Sequence, residues 1–213
     1  MLKLHNSYSN NVEEFKLDSN NVKVYLCGPT VQSSPHIGHG RSAVVFDFLI
    51  RYLQFSDYQV TFVRNITDIE DKIIQRSEEE GITTEELAER VTKEFQKSYS
   101  DLNCLMPNYE PKATDTIDHI IHLIEILIDK GYAYSTESGV YFEVDKYEKY
   151  LKLSGRKKDE VVSGTRVDIE SDKKNSEDFA LWKISKENEP SWKSPWGSGR
   201  PGWHIECSAM INK

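Results

Sequence analysis

Two histidines separated by two residues, His36 and His39, stand where a β-rich stretch gives way to a helical one. A helix N-terminus presents unpaired N–H groups and the positive end of the helix dipole, which together suit a phosphate. Imidazoles placed there can donate hydrogen bonds to a phosphate whose negative charge grows during a reaction. Gly38, between them, lets a flat ring or a backbone approach closely. The motif predicts a phosphate-binding turn, and two ordinary surface histidines are the competing interpretation.

The chain contains three cysteines, Cys27, Cys104 and Cys207. They are widely spaced and odd in number, so we expect a reducing, cytoplasmic environment and no disulfide framework. A lone cysteine at a strand end is usually a small buried hydrophobe, and this is the default interpretation for Cys27 and Cys207. The spacing of His204 and Cys207 would by itself suggest a metal pair on one helical face. Cys104 matches no motif and is expected in the core.

Hydrophobic patterns predict the elements that position the histidine motif. Residues 22–27 and 58–63 are β-rich and predict strands, and a helix is predicted from about Ile37. Strand, loop, helix and strand in that order predict a βαβ unit with a parallel sheet. The apolar residues at helical spacing in this helix are Val44, Val45, Phe48, Leu49, Tyr52 and Leu53.

Two helices are predicted after the βαβ unit. The first covers residues 68–80 and ends at Gly81. The second opens with Thr84 as N-cap, followed by acidic residues, and runs toward Leu102.

A third helix, amphipathic over residues 114–130, is predicted to end at Gly131. His119 and His122 lie opposite its isoleucine face, so we expect both in solvent rather than at a metal. Residues 132–142 predict a short hairpin.

Composition sets limits on the partners of the chain. Of its 213 residues, 38% are hydrophobic and 29% are charged, which is typical of a soluble globular protein. No apolar run is long enough to cross a membrane, and the first residues lack a signal-peptide core. The formal net charge is −8, so a nucleic acid would have to be held by a local basic surface.

Three blocks of sequence carry a family resemblance. Residues 25–41 (YLCGPTVQSSPHIGHGR) resemble the first signature of class I aminoacyl-tRNA synthetases, and the lead-in CGPTV is similar to that of the cysteinyl-tRNA synthetases. Residues 63–73 (VRNITDIEDKI) and 199–210 (GRPGWHIECSAM) also match that family. With residues 181–183 (LWK) between them, the blocks extend the resemblance over essentially the whole chain.

Two adjacent positions depart from the family pattern. Gln32 and Ser33 stand where the family usually has a tyrosine and an acidic residue. This departure concerns the rim of the pocket and not the membership of the family.

The resemblance implies roles for individual residues. His36 and His39 would be catalytic and would stabilise the charge on the transferring phosphate. Thr67 and Trp203 would help to form a cysteine pocket. A helix-capping role is the competing interpretation for Thr67, and a structural tryptophan packed under a loop is the competing one for Trp203. The implied ATP-binding residues are Gly28, Pro29, Thr30, His36, Gly38 and His39.

The resemblance also implies a zinc site. Cys27 and Cys207 match the two zinc cysteines of the family, whereas His204 is not one of its ligands. The other family ligands, a histidine and a glutamate, lie in a motif beyond Lys213, so zinc is expected to be missing or partly occupied in these residues alone. Cysteine differs from serine only in having sulfur in place of oxygen, so a binding pocket distinguishes the two poorly by shape alone. A zinc ion that binds a thiolate, at about 2.3 Å, makes that distinction.

The implied fold is α/β: an incomplete class I synthetase Rossmann-type doubly wound parallel sheet with an inserted connective-peptide domain. The first half of the catalytic domain would occupy residues 1–111, the insertion residues 112–198, and the start of the second half residues 199–213. The second family signature, Lys-Met-Ser-Lys-Ser, and the anticodon-binding domain are absent from these residues. We therefore expect a fragment that is inactive alone.

The implied activity is the ligation of cysteine to tRNA. ATP, with Mg²⁺, would activate L-cysteine to cysteinyl-adenylate, and tRNA(Cys) would accept the cysteinyl group. The cluster of Arg156, Lys157 and Lys158 would meet the tRNA acceptor end, or form a solvated loop. A monomer is favoured. Alternatives are a mycothiol-pathway cysteine ligase with an aminosugar acceptor, a small nucleotidyltransferase, and a nucleotide- or zinc-binding module without activity.

Overall fold

The computed structural model describes residues 2–17, 19–156 and 172–212. Strands β1 (Lys3–Asn6) and β2 (Asn11–Glu14) form an antiparallel hairpin at the start of the chain. The part of the predicted basic cluster formed by Lys157 and Lys158 lies outside the described residues. No helix within the described ranges combines the length and the hydropathy that a membrane span requires.

The predicted βαβ unit is confirmed. Strands β3 (Asn21–Leu26) and β4 (Gln59–Arg64) are adjacent and parallel, and helix α1 (Ile37–Phe55) connects them. Residues 108–113 continue this parallel arrangement on the far side of β4 through bridges at Tyr109 and Lys112. We call residues 21–113 the parallel unit.

The buried stripe of α1 differs from the apolar stripe that predicted the helix. Ala43, Ile50 and Leu53 are buried, because α1 packs on β4 and on the following helices. Val45 and Phe48 are 57% and 73% exposed. The spacing therefore predicted the helix correctly, while the direction of packing was decided by its neighbours.

Helices α2 (Asp71–Glu80) and α3 (Thr84–Asp101) confirm two predicted helices, with shifted starts. The N-cap of α2 is Glu70, whose carboxylate accepts from Lys72 N at 2.8 Å, so the helix begins later than predicted. Gly81 ends it with a φ of 67°, as its position predicted.

Thr83, and not the predicted Thr84, is the N-cap of α3. The Thr83 hydroxyl accepts from Glu86 N at 3.1 Å, and the Glu86 carboxylate accepts from Thr83 N at 2.9 Å. This reciprocal pair satisfies two backbone donors that the first turn leaves open.

A four-stranded antiparallel sheet follows helix α4 (Ile117–Asp129). Its order is β5 (Ala133–Ser135), β6 (Gly139–Phe142), β7 (Phe179–Ile184) and β8 (Gly199–Pro201). The predicted hairpin is confirmed as β5 and β6, whereas β7 and β8 were not predicted as strands. We call these four strands the antiparallel sheet.

Helix α5 (Trp203–Asn212) packs on α4 and β7. The core between them contains Trp182 at 0% exposure, with Ile124 and Ile205. His119 and His122 are exposed and Cys104 is buried, as predicted.

Candidate functional site

The candidate site lies at the carboxyl ends of β3 and β4, where open α/β sheets bind their ligands. The segments that follow the two strands lie side by side. Thr67 N donates to Pro29 O at 3.0 Å, and Val31 N donates to Thr67 O at 3.1 Å. These backbone bonds extend the parallel pairing into the loops and fix the first segment against the second.

Gly28 lies where no other residue fits. A Cβ atom at this position would lie 1.6 Å from the carbonyl oxygen of Asn65. Gly28 N also donates to Asn65 Oδ1 at 2.9 Å, and Asn65 Nδ2 donates to Thr67 Oγ1 at 3.3 Å. Asn65 is buried and was not singled out from the sequence, although it stands inside the second family block. It joins the two loops of the site.

The histidine motif forms the first turn of α1. His36 is the N-cap, and its Nδ1 accepts from Gly38 N at 3.1 Å. His39 Nδ1 accepts from His36 N at 3.2 Å. Because both Nδ1 atoms accept from backbone N–H groups, the ring proton of each neutral imidazole resides on Nε2. The cap therefore leaves two Nε2–H donors at the helix N-terminus.

The two imidazoles are held close together. Their centroids are 3.9 Å apart, and the edge of Phe95 contacts the His39 ring at 4.9 Å. Burial, followed by the neighbouring His36, lowers the pKa of His39. His39 is therefore neutral near pH 7 and acts as a hydrogen-bond donor without a full charge. A Cβ on Gly38 would lie 2.9 Å from the His36 ring, so the glycine keeps this turn open.

Two cysteines from distant parts of the chain meet at the end of β3. Cys27 follows β3, Cys207 lies in α5, and their Sγ atoms are 3.6 Å apart. Burial, together with the nearby Cys27, raises the pKa of Cys207 to about 11. Burial, followed by Cys207, raises the pKa of Tyr25, which packs beside the pair. The Cys207 thiol is therefore protonated near pH 7 in the absence of a metal.

The thiol pair fits two corners of a zinc site. Two thiolates bound to one zinc ion at about 2.3 Å with a tetrahedral angle lie about 3.8 Å apart, close to the observed 3.6 Å. The described ranges contain no cluster of three or more His, Cys, Asp or Glu that would hold a metal. His204 packs instead on Phe179, with 4.7 Å between centroids, and on Trp203.

Trp203 precedes Cys207 by four residues in α5, and Thr67 lies in the loop that pairs with Pro29 and Val31. Thr67 is buried and bonded to Asn65, and the α2 N-cap is Glu70, so the capping interpretation of Thr67 is wrong. Trp203 is the first residue of α5 and is 60% exposed, so it is not packed under a loop. Their role in a cysteine pocket stays a prediction.

Glu206 is a buried carboxyl beside Cys207 that sequence analysis missed. It is 1% exposed, and neither carboxyl oxygen makes a well-aligned hydrogen bond to another described residue. Burial raises the pKa of Glu206 well above its usual range. A glutamate in a polar motif ordinarily indicates the surface, so the sequence carried no signal for this burial.

The chain is similar to one family of known proteins and to several curated relatives. A family model described as the catalytic domain of tRNA synthetases class I (C) matches residues 13–213. A cysteine–tRNA ligase of Thermodesulfovibrio yellowstonii is 50% identical over 100% of this chain and 45% of the relative. The Methanococcus maripaludis ligase is 51% identical over 100% of this chain and 45% of the relative. The Vibrio cholerae ligase is 52% identical over 99% of this chain and 46% of the relative. The chain thus spans under half the length of these curated relatives.

Proposed function

We infer, from the fact that the chain belongs to the family of class I (C) tRNA synthetase catalytic domains, that the full-length protein is a cysteine–tRNA ligase. The observation that carries this proposal is the pair of thiols, 3.6 Å apart at the end of β3, in a chain whose helix α1 is capped by His36 and His39. Relatives that are about half identical over the whole chain bear the same name. Because the chain spans about 45% of those relatives, the activity is proposed for the full-length protein.

The proposed reaction has two steps. The carboxylate of cysteine attacks the α-phosphate of ATP, which forms cysteinyl-adenylate and releases pyrophosphate. The cysteinyl group then passes to the terminal adenosine of tRNA(Cys). The Nε2–H groups of His36 and His39 donate to the phosphate oxygens as their charge grows, so these two histidines act by position and electrostatics.

The backbone around the histidines is suited to a nucleotide. Gly28 and Gly38 have no side chain that would fill the space beside the loops. Pro29 and Thr30 are tied to Thr67 through the paired loop segments. We propose that this loop holds ATP, with Mg²⁺ bound to the phosphates.

The thiols of Cys27 and Cys207 would be two of the protein ligands of a zinc ion. When bound, this ion would accept the thiolate of the substrate and distinguish cysteine from serine. Because burial raises the pKa of Cys207, this thiol would lose its proton when a cation takes the place of that proton. Thr67 and Trp203 would line the pocket in which the substrate side chain lies.

The domain division is also a proposal. Residues 1–111 would form the first half of the catalytic domain, residues 112–198 a connective-peptide insertion, and residues 199–213 the start of the second half. The change from parallel to antiparallel pairing near residue 113 supports the first boundary. Strand β8 pairs with β7 across the second boundary, so the insertion and the second half share a sheet.

Further strands of a doubly wound sheet would pack on the parallel unit. Among the described residues, β3 pairs with β4 and with no other strand. Phe48 and Val45 are exposed on α1, the helix that connects β3 with β4. An open strand edge and an exposed apolar helix face in the same unit support an incomplete sheet.

Cysteine-dependent exchange of pyrophosphate into ATP tests the first step, and charging of tRNA(Cys) tests the second. We expect the full-length protein to perform both, with cysteine strongly preferred over serine. Exchange without tRNA charging, but with transfer to an aminosugar, would indicate the mycothiol-pathway alternative. Absence of exchange would leave the nucleotide- or zinc-binding module without activity as the remaining interpretation. We propose that the full-length protein is a cytoplasmic monomer. Light scattering measures its oligomeric state, and cell fractionation measures its location.

A further inference from the structure

Two cations lie directly opposite each other in the antiparallel sheet. Lys183 in β7 and Arg200 in β8 are cross-strand partners. Their side chains are only 19% and 10% exposed, so water screens them poorly. Like charges in direct cross-strand positions are destabilising, and the more so when they are buried. The pair therefore requires an anion from elsewhere.

Asp71, the first residue of α2, supplies this anion from the parallel unit. Its Oδ2 accepts from Lys183 Nζ at 2.8 Å, and its Oδ1 lies 2.6 Å from an Arg200 guanidinium nitrogen. Arg200 Nε also lies 3.5 Å from Glu189. Burial alone would raise the pKa of the Asp71 carboxyl. The nearby Lys183 and Arg200 have the larger combined effect, so the pKa of Asp71 lies below its usual value. One carboxylate thus joins both cations across two regions of the fold.

A rigid path leads from this carboxylate to Cys207. Strand β8 lies so close to β7 that a Cβ on Gly199 would be 2.2 Å from Lys183 O, and one on Gly202 would be 2.0 Å from Ala180 O. Helix α5 begins immediately afterwards and carries Cys207. A displacement of β8 therefore displaces the second thiol of the candidate site.

We propose that Asp71 is a positioning residue, which holds β8 and α5 against the parallel unit and so sets the separation between Cys27 and Cys207. The positioning itself does not depend on the function proposed above. Its consequence for the binding of cysteine rests on that proposed function.

The separation of the thiols can be measured without activity. The full-length protein is treated with a chelator and then with diamide, whose azo bond takes two electrons and two protons as two thiols become a disulfide. Peptide mapping by mass spectrometry gives the rate at which the Cys27–Cys207 disulfide forms. We expect Asp71→Asn to slow this rate about tenfold, because it removes the half-exposed carboxylate that contacts the poorly exposed Lys183 and Arg200 and so loosens β8 from α2. Glu79→Gln, which removes an exposed carboxylate paired with Arg76 on the same helix, should leave the rate unchanged.

A double variant separates positioning from stability. Asp71→Asn combined with Lys183→Met removes one of the two opposed cations and leaves Arg200 beside Glu189, so the melting temperature should recover. The disulfide should still form slowly, because α2 no longer holds β8. Asp71→Glu keeps the carboxylate and should restore part of the rate. A wild-type rate in Asp71→Asn, or in the double variant if the single one does not fold, overturns the inference.

Kinetics then connect the inference to the proposed function. In pyrophosphate exchange, Asp71→Asn should raise the KM for cysteine and leave the KM for ATP unchanged, since the histidine turn lies on α1. A slow disulfide with an unchanged KM for cysteine would support the positioning role and contradict the cysteine pocket. An unchanged disulfide rate would refute the positioning role whatever the kinetics.

Discussion

The two cysteines of the candidate site are positioned by different means. Cys27 belongs to the parallel unit, where it stands beside Gly28 and within ten residues of the histidine turn. Cys207 lies in α5, which follows β8, and the ion pairs of Lys183 and Arg200 with Asp71 hold β7 and β8 to α2. Asp71 is 112 residues from Lys183 in the sequence. The site therefore joins a half fixed within one βαβ unit to a half fixed by contacts between the antiparallel sheet and the parallel unit.

This difference explains where the sequence was informative. The cap of α1 follows from neighbouring residues, and the parallel pairing of β3 with β4 follows from the order of strand, helix and strand. The burial of Glu206 and the ion pairs of Arg200 depend on elements far apart in the chain. Each substitution below tests one side of that contrast.

Cys207→Ser is expected to have the largest effect, because it removes the contribution of α5 to the thiol pair. In the full-length protein it should abolish bound zinc and the preference for cysteine over serine. Metal analysis and pyrophosphate exchange with each amino acid measure both. The matched control is Cys104→Ser, which alters a buried cysteine of the parallel unit outside the pair and should keep both properties. A Cys207→Ser protein that retains its zinc and its selectivity would show that the thiol pair is not what distinguishes cysteine from serine.

His39→Ala tests the chemistry of the parallel unit. Loss of one preorganised donor should cost about 2.7–4 kcal/mol of transition-state stabilisation, or roughly a hundredfold to a thousandfold in exchange rate. Cysteine binding should change little.

Two controls isolate the Nε2–H donor of His39. His39→Asn keeps an acceptor near the Nδ1 position, so it should preserve the cap on His36 N and still lose the rate. His122→Ala alters an exposed histidine on α4 and should have no effect. An unchanged exchange rate in His39→Ala would remove this residue from the mechanism.

Gly28→Ala tests the packing that fixes Cys27. The new methyl group would lie 1.6 Å from Asn65 O, so the two loops must separate, at a cost of about 3 kcal/mol or more in the free energy of unfolding. Gly81→Ala is the matched control: its φ is 67°, but no atom lies within 4 Å of the added Cβ. We expect it to cost about 1 kcal/mol through backbone strain alone. Equal melting temperatures for the two variants would contradict the close approach.

Thr83→Ala should have the smallest effect. It removes the N-cap of α3 and should lower the free energy of unfolding by about 1 kcal/mol. Thr84→Ala, at the N-cap position that the sequence predicted, should change it by less than about 0.5 kcal/mol. Urea unfolding of both variants measures the difference, and the reverse order would restore the sequence-based assignment.

The sequence by itself determined the elements and helix ends that depend on residues close together in the chain. Hydrophobic spacing predicted the βαβ unit, and the positions of Gly81 and Gly131 predicted the ends of two helices. The histidine motif predicted a helix N-terminus, because caps and turns depend on residues a few positions apart. The family blocks predicted Cys27 and Cys207 as partners, which spacing alone did not.

Only the tertiary structure decided how the distant elements meet. Strands β7 and β8 are short, and no periodicity in the sequence gives their register. The contact of Asp71 with Lys183 and Arg200, and the burial of Glu206, exist only once that register is set. Charged residues ordinarily lie at the surface, so their burial is a property of the assembled core, and no stretch of the sequence indicates it.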